Sequence, residues 1–186
     1  MDGRKSLGFK DTMDIRFLEK TEEDQNISYP AHLIKFAERL KKTGEIEFDD
    51  KQDKMVVIFD ADIFEKKVCN YQELLRDKSK SSIYAITNPA FELFLLLHIE
   101  NSFEEIIGPN YSLILENQKV QGKTPVYNIL LEKTGMNAKH NPDIGNLALK
   151  IDVAIEQEKK INQDISDCKG KLTSNIAQII SGIKRA

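Results

Sequence analysis

Apolar runs separated by charged segments predict strands that alternate with helices over the first part of the chain. The clearest run is Met55–Phe59, in which three residues are β-branched. A short, continuous apolar run bounded by charge is typical of a strand buried on both faces, as at the centre of a parallel sheet. A second run, Ile83–Ile86, predicts a strand beside it, and Asp14–Leu18 predicts an earlier one.

Apolar residues at helical spacing predict helices between and after these strands. Pro30 is typical of a first helical turn, and the helix that it opens is predicted to end at Gly44. Asn88 is predicted to cap a helix that has Pro89 at its first position and runs to His98; this helix is apolar on nearly every side and should be buried. Further helices are predicted over Val68–Leu75, Thr124–Leu130, Leu147–Ile165 and Ile176–Ile183.

The alternation of strands and helices up to residue 107 predicts an α/β fold with a small parallel sheet flanked by helices. The rest of the chain is predicted to be helical. Because 186 residues suit one domain, we expect residues 14–107 to form an α/β core and residues 108–186 a helical extension of the same domain.

Three carboxylates are predicted to meet at one edge of the sheet. Asp60 and Asp62 follow the strand Met55–Phe59, and residues two apart in an extended chain point the same way. Glu92 lies in the first helical turn after the next strand. Ligands of open α/β sheets bind at the carboxyl ends of the strands, and close carboxylates favour a hard cation, so the pattern predicts a site for Mg²⁺ or Mn²⁺. The alternative is that one aspartate caps a helix and the other is solvated.

Composition narrows the class of protein. The formal net charge of −3 gives no overall basic surface of the kind that nucleic-acid-binding proteins carry. Cys69 and Cys168 are too far apart to form a metal-binding motif and are expected to be reduced thiols. The longest apolar runs, such as Leu93–Leu97, are far too short to span a membrane, and no signal peptide is recognisable, so we expect a cytoplasmic protein.

Two further features have a functional and a plain interpretation. His98 ends an apolar helical face, which favours a hydrogen-bonded core histidine over a catalytic acid. Residues 117–141 contain Glu132 as their one acidic residue. A solvated face is the default explanation of this stretch, but it is also the best candidate in the chain for contacts with phosphate. Its basic residues are Lys119, Lys123, Lys133, Lys139 and His140.

Two segments resemble a known protein family. Val57–Asp62 is similar to the "vFDrD" strand of the RloB-like family, and Ala85–His98 is similar to its longer and more specific segment "a-i-S-N-P-x-F-E-l-W-l-l-L-H". The helix after Tyr29-Pro30 also resembles the family's helix before the acidic strand. This family includes abortive-infection proteins of the AbiLii type and proteins of restriction-modification operons.

The resemblance implies a Toprim-like core and Mg²⁺-dependent cleavage of phosphodiester bonds in DNA or RNA, in the service of phage defence. Asp60 and Asp62 would match the Toprim acidic pair. Glu92, helped by Asn88, would match the acidic position after the next strand.

The resemblance also implies a catalytic glutamate upstream, in a motif of the form E-G-x-x-T-E. Here only Glu19-Lys20-Thr21-Glu22 is similar to it. Two alternatives follow. Either Glu19 or Glu22 takes that role in an active nuclease, or the motif is missing and the chain is a non-catalytic defence component that binds a partner protein or nucleic acid.

Overall fold

The computed structural model describes residues 30–61, 71–76, 82–137 and 140–185, together with Arg16. The predicted strand Asp14–Leu18 therefore lies, apart from Arg16, outside the described residues. The elements follow one another as α1 Pro30–Thr43, β1 Val56–Asp60, α2 Tyr71–Arg76, β2 Ile83–Asn88, α3 Phe91–Leu96, a π-helical turn Phe103–Ile107, α4 Tyr111–Glu116, α5 Pro125–Thr134, a long 3-10 helix Pro142–Lys150, α6 Ile151–Glu158, a short 3-10 helix Ile165–Asp167, β3 Thr173–Ser174 and α7 Ile176–Arg185.

The described strands form one mixed sheet with the order β1-β2-β3. β3 is antiparallel to β2, and β1 is parallel to it. The predicted α/β class is thereby confirmed, as is the prediction that the strands at Met55–Phe59 and Ile83–Ile86 are neighbours. The prediction of a purely parallel sheet is wrong, because β3 pairs with β2 in the antiparallel direction. β3 was not predicted, because two polar residues, Thr173 and Ser174, are too few to show the alternation of a strand.

One face of β1 is buried and the other is open. Val57 and Phe59 are buried, whereas Ile58 between them is 51% exposed. The prediction of a central strand buried on both faces is therefore wrong at Ile58. In the described part of the chain β1 lies at one end of the sheet. Successive side chains of a strand point to opposite faces, so a purely apolar run does not reveal that one face is uncovered.

The chain divides into two compact units. The first comprises residues 14–59 and 63–85. In its described part, Ile34, Ala37 and Leu40 form the buried side of α1, which ends as predicted before Gly44 in the left-handed region. The predicted division into a core up to residue 107 and a helical extension stays a prediction.

The second unit comprises residues 1–13, 60–62 and 86–186. Helix α3 packs against α5, α5 also packs against α4, and α6 packs against α7. The predicted helices at Pro125 and Ile176 are confirmed. The largest fully buried aliphatic side chains of this core are Ile86, Leu93, Leu96, Leu97, Ile107, Ile114, Val126, Leu130 and Leu172.

The predicted long helix over Leu147–Ile165 is wrong at both ends. Its first part belongs to the long 3-10 helix, and α6 ends at Glu158. The backbone of Asn162 explains the end, because its N–H donates to Leu172 O and its carbonyl accepts from Ser174 N. A residue paired in this way with β3 is extended and cannot continue a helix.

The carboxylate of Glu158 is fully buried and joins α6 to β3 and α7. Its Oε1 accepts from the hydroxyl of Ser174 and from Ala177 N, and its Oε2 accepts from Gln178 N at 2.7 Å. The two N–H groups lie in the first turn of α7 and have no partner within the helix. A negative charge at this end of a helix is also favoured by the helix dipole.

We predict that Glu158→Ala lowers the free energy of unfolding by about 3 kcal/mol or more, because it leaves several buried donors without an acceptor. Urea unfolding followed by circular dichroism measures this loss. Glu156→Ala is the matched control on the same helix. Glu156 forms an exposed ion pair with Lys159, so its removal should cost no more than about 1 kcal/mol. Equal losses in the two variants would contradict a special role of Glu158.

Candidate functional site

The structure brings Asp60 and Glu92 to the wall of one cavity of about 470 Å³. Asp60 is the final residue of β1, and Glu92 lies in the first turn of α3, shortly after β2. Since β1 and β2 are parallel, their carboxyl ends lie at the same edge of the sheet. This topology is what carries two carboxylates from distant parts of the sequence to one place.

A buried threonine orients Asp60. Thr87, in β2, is fully buried, and its hydroxyl donates to Asp60 Oδ1 over 2.6 Å. A hydrogen bond from a buried neighbour restricts the rotation of the carboxylate and fixes one of its two oxygens. Sequence reasoning missed Thr87, although its position near the end of a strand that adjoins the acidic strand was a usable signal.

The rest of the cavity wall is mostly apolar. One side is formed by α3 and the residues just after it, and the other by the long 3-10 helix. A concave, largely apolar site with a few convergent polar groups is the usual form of a ligand-binding site. Besides the two carboxylates, its lining residues are Phe91, Phe94, Leu95, His98, Ile144, Gly145, Leu147 and Ala148.

His98 is a core residue that also lines the cavity. It is 2% exposed, its Nδ1 lies 3.0 Å from Phe94 O, and its ring packs edge-on against that of Phe94. Burial lowers the pKa of His98 below the ordinary value of 6.5, although hydrogen bonds with the carbonyls of Phe94 and Leu95 act in the opposite direction. The neutral ring therefore donates from Nδ1, since a carbonyl oxygen can only accept. The prediction of a hydrogen-bonded core histidine is confirmed.

Asn88 does not cap a helix, so that prediction is wrong. Asn88 is the last residue of β2, and Ala90 stands at the cap position of α3. The side-chain N–H groups of Asn88 donate instead to Cys168 O and Lys171 O, over 3.0 and 2.8 Å. These bonds tie the loop before β3 to the end of β2, which explains why the side chain is not available to α3. The proposed help of Asn88 to Glu92 stays a prediction.

Two predicted site residues, Asp62 and Glu19, lie outside the described residues, as does Glu22. Their roles remain predictions. Among the residues that the structure describes, no group of three histidine, cysteine, aspartate or glutamate side chains is placed to hold a metal ion. The described candidates for metal ligands are therefore the two carboxylates of the cavity, Asp60 and Glu92.

The pKa of His98 predicts a pH dependence of stability. Because the folded state holds the pKa below 6.5, the unfolded state binds the proton more readily. The contribution of the neutral, buried ring is therefore complete above about pH 6.5 and is lost as the pH falls through the lowered folded value. We expect wild type to lose stability between about pH 7 and pH 5, and His98→Gln to lose less over the same range, by at most about 1.4 kcal/mol per pH unit.

Urea midpoints across this pH range measure the effect. His140→Gln, which replaces an exposed histidine, is the control and should follow wild type. Identical pH profiles of wild type and His98→Gln would show that His98 does not cause the loss.

The comparisons with known proteins give one match. A family model described as RloB-like protein matches residues 5–183, which is nearly the whole chain. No curated protein matches, and no solved structure matches. No helix within the described ranges has the length and apolar composition that a membrane crossing requires.

Proposed function

The chain belongs to the RloB-like family, and from this premise we propose that it is a phage-defence nuclease with a Toprim-like core. Membership of this family is consistent with a role in phage defence or restriction. The observation that carries the proposal of a nuclease is the meeting of Asp60 and Glu92 in one cavity at the carboxyl ends of two parallel strands.

The residues of the cavity fit a hard cation. Mg²⁺ is bound through oxygen atoms, and proteins often supply only one or two carboxylates while water and substrate phosphate complete its shell. Asp60 and Glu92 would hold the ion, and Asp62, two residues after Asp60, would add a third carboxylate. When bound, Mg²⁺ or Mn²⁺ would polarise a phosphodiester and lower the pKa of a bound water.

The chain's own residues would prepare the site for this chemistry. Thr87 holds Asp60 in one orientation, so that the carboxylate need not reorganise when ligand arrives. The wall that α3 and the long 3-10 helix supply is mostly apolar, and electrostatic interactions are stronger beside an apolar surface than in bulk water. Glu19 or Glu22 would serve as general acid or base, which is the role of the upstream glutamate in Toprim domains.

We expect Asp60→Asn to abolish binding of Mn²⁺ and Glu92→Gln to weaken it, because each replaces a charged ligand by a neutral one. Isothermal titration calorimetry measures the binding. Asp152→Asn is the matched control, since Asp152 is an exposed carboxylate paired with Lys184. Cleavage of single-stranded and duplex DNA and RNA with Mg²⁺ or Mn²⁺ should then be lost in Asp60→Asn and kept in Asp152→Asn.

Absence of Mn²⁺ binding by wild type, or unchanged binding in Asp60→Asn, would refute the metal site. Metal binding without cleavage of any of the four substrates would instead support a non-catalytic defence component.

Thr87 is expected to be a positioning residue. Thr87→Val keeps the shape of the side chain but removes the hydrogen bond to Asp60, so Mn²⁺ affinity should fall by about 10- to 100-fold, as is usual when the partner of a metal ligand is lost. Thr87→Ser keeps the hydroxyl and should restore most of the affinity. If Thr87→Val and Thr87→Ser bind Mn²⁺ equally well, the hydroxyl does not position Asp60.

A further inference from the structure

A tight hairpin projects between α4 and α5. Val120 and Lys123 exchange both of their backbone hydrogen bonds, over 2.9 and 3.1 Å. Gln121 and Gly122 between them have φ angles of 51° and 81°. Positive φ at both central residues is the pattern of a type I′ turn, which closes a two-residue hairpin. The tip is therefore a defined structure and not an irregular loop.

Both ends of the hairpin are anchored. Asn117, at the end of α4, accepts through Oδ1 from Val126 N in the first turn of α5. Thr124 directly after the hairpin is the cap residue of α5. Helix α5 packs against α3, and α3 carries Glu92. The hairpin is therefore attached to a helix that contacts the helix of Glu92.

The tip exposes one apolar side chain between two cations. Val120 is 64% exposed, and Lys119 and Lys123 are exposed beside it. Among the described residues, neither lysine forms a salt bridge. The ammonium group of Lys123 lies 5.7 Å from the ring centre of Tyr127. Single exposed apolar side chains are common on protein surfaces, so Val120 indicates a partner only together with the lysines beside it.

The charge around the tip indicates an anionic partner. Glu132 is the one acidic residue of the segment 117–141, and it lies 3.5 Å from Lys133, while the chain as a whole has a net charge of −3. Val120 and Lys123 form a directly bonded pair, whose Cα atoms are about 5.5 Å apart, and Lys119 precedes Val120. Because successive side chains of an extended chain point to opposite faces, the hairpin carries Val120 and Lys123 on one face and Lys119 on the other.

We propose that the tip, residues 119–123, is a contact surface for nucleic acid. Lys119 and Lys123 bind phosphates on the two sides of the hairpin, and Val120 packs against the sugar or base beside Lys123, as apolar side chains do in many grooves of nucleic acids. A single valine is too little apolar surface to hold a protein at a lipid bilayer. The choice of nucleic acid as the partner rests on the proposed function, because a nucleic acid held at the tip is the substrate that the cavity would cleave.

Fluorescence anisotropy in the presence of EDTA tests the contact separately from the metal site. The probes are fluorescein-labelled oligonucleotides, offered as single strands and duplexes of DNA and RNA, over a series of salt concentrations. Lys119→Glu/Lys123→Glu should weaken binding and reduce the slope of log affinity against log salt by about 1.4 for single strands or about 1.8 for duplexes. Val120→Ser should weaken binding by about 3- to 10-fold without changing that slope.

The matched control is Lys51→Glu/Lys169→Glu, which makes the same change in net charge at two exposed lysines elsewhere. It should keep most of the affinity and the slope. Equal losses in both double variants, or no binding by wild type to any probe, would overturn the proposal. Unchanged affinity in Val120→Ser would overturn the contact by valine. Binding of the probes by wild type in EDTA without cleavage in Mg²⁺ would concern only the proposed function, and cleavage without a loss of binding in Lys119→Glu/Lys123→Glu would concern only the tip.

Discussion

The buried carboxylate of Glu158 is the constraint on which the second unit depends. It holds Ser174 of β3 and the first turn of α7 at the end of α6. Ser174 is in turn the register partner of Thr87, and Thr87 donates to Asp60. A short series of hydrogen bonds and strand pairing thus leads from a structural carboxylate to the carboxylate of the candidate site. The orientation of Asp60 is for this reason a property of the assembled unit and not only of β1.

Sequence patterns predicted the elements whose stability comes from their own apolar periodicity. The helices that begin at Pro30, Pro125 and Ile176 are of this kind, and so are the strands β1 and β2. The patterns failed where a distant partner decides the structure. β3, the end of α6 and the cap of α3 depend on groups that bond to segments which the sequence does not show as neighbours. These groups are the backbone of Asn162 and the side chains of Glu158 and Asn88.

The candidate site was predictable to a similar extent. Asp60 ends one strand and Glu92 comes shortly after the next. Neighbouring parallel strands end at the same edge of a sheet, so the proximity of these two carboxylates could be expected. The apolar wall around Ile144 could not be expected, because an apolar residue in a helical segment is typical of any core, and Thr87 was marked only by its position near the end of a strand. The hairpin at Val120 carries a turn signal, Gln121-Gly122, but its exposure is visible only in the structure.

The bond from Ile86 N to Asn175 Oδ1 joins residues that are 89 positions apart. At a ribosomal rate of roughly 5–20 residues per second, this separation corresponds to about 5–20 seconds of synthesis. Throughout that interval the nascent chain carries β2 without its antiparallel neighbour, and Thr87 without the strand that pairs with it. The strand that pairs with Thr87 is therefore added to the acidic cavity only after all of the cavity's lining residues have been synthesised. A ribosome that stalls after α5 leaves a chain with Asp60 and Glu92 but without the framework that orients them.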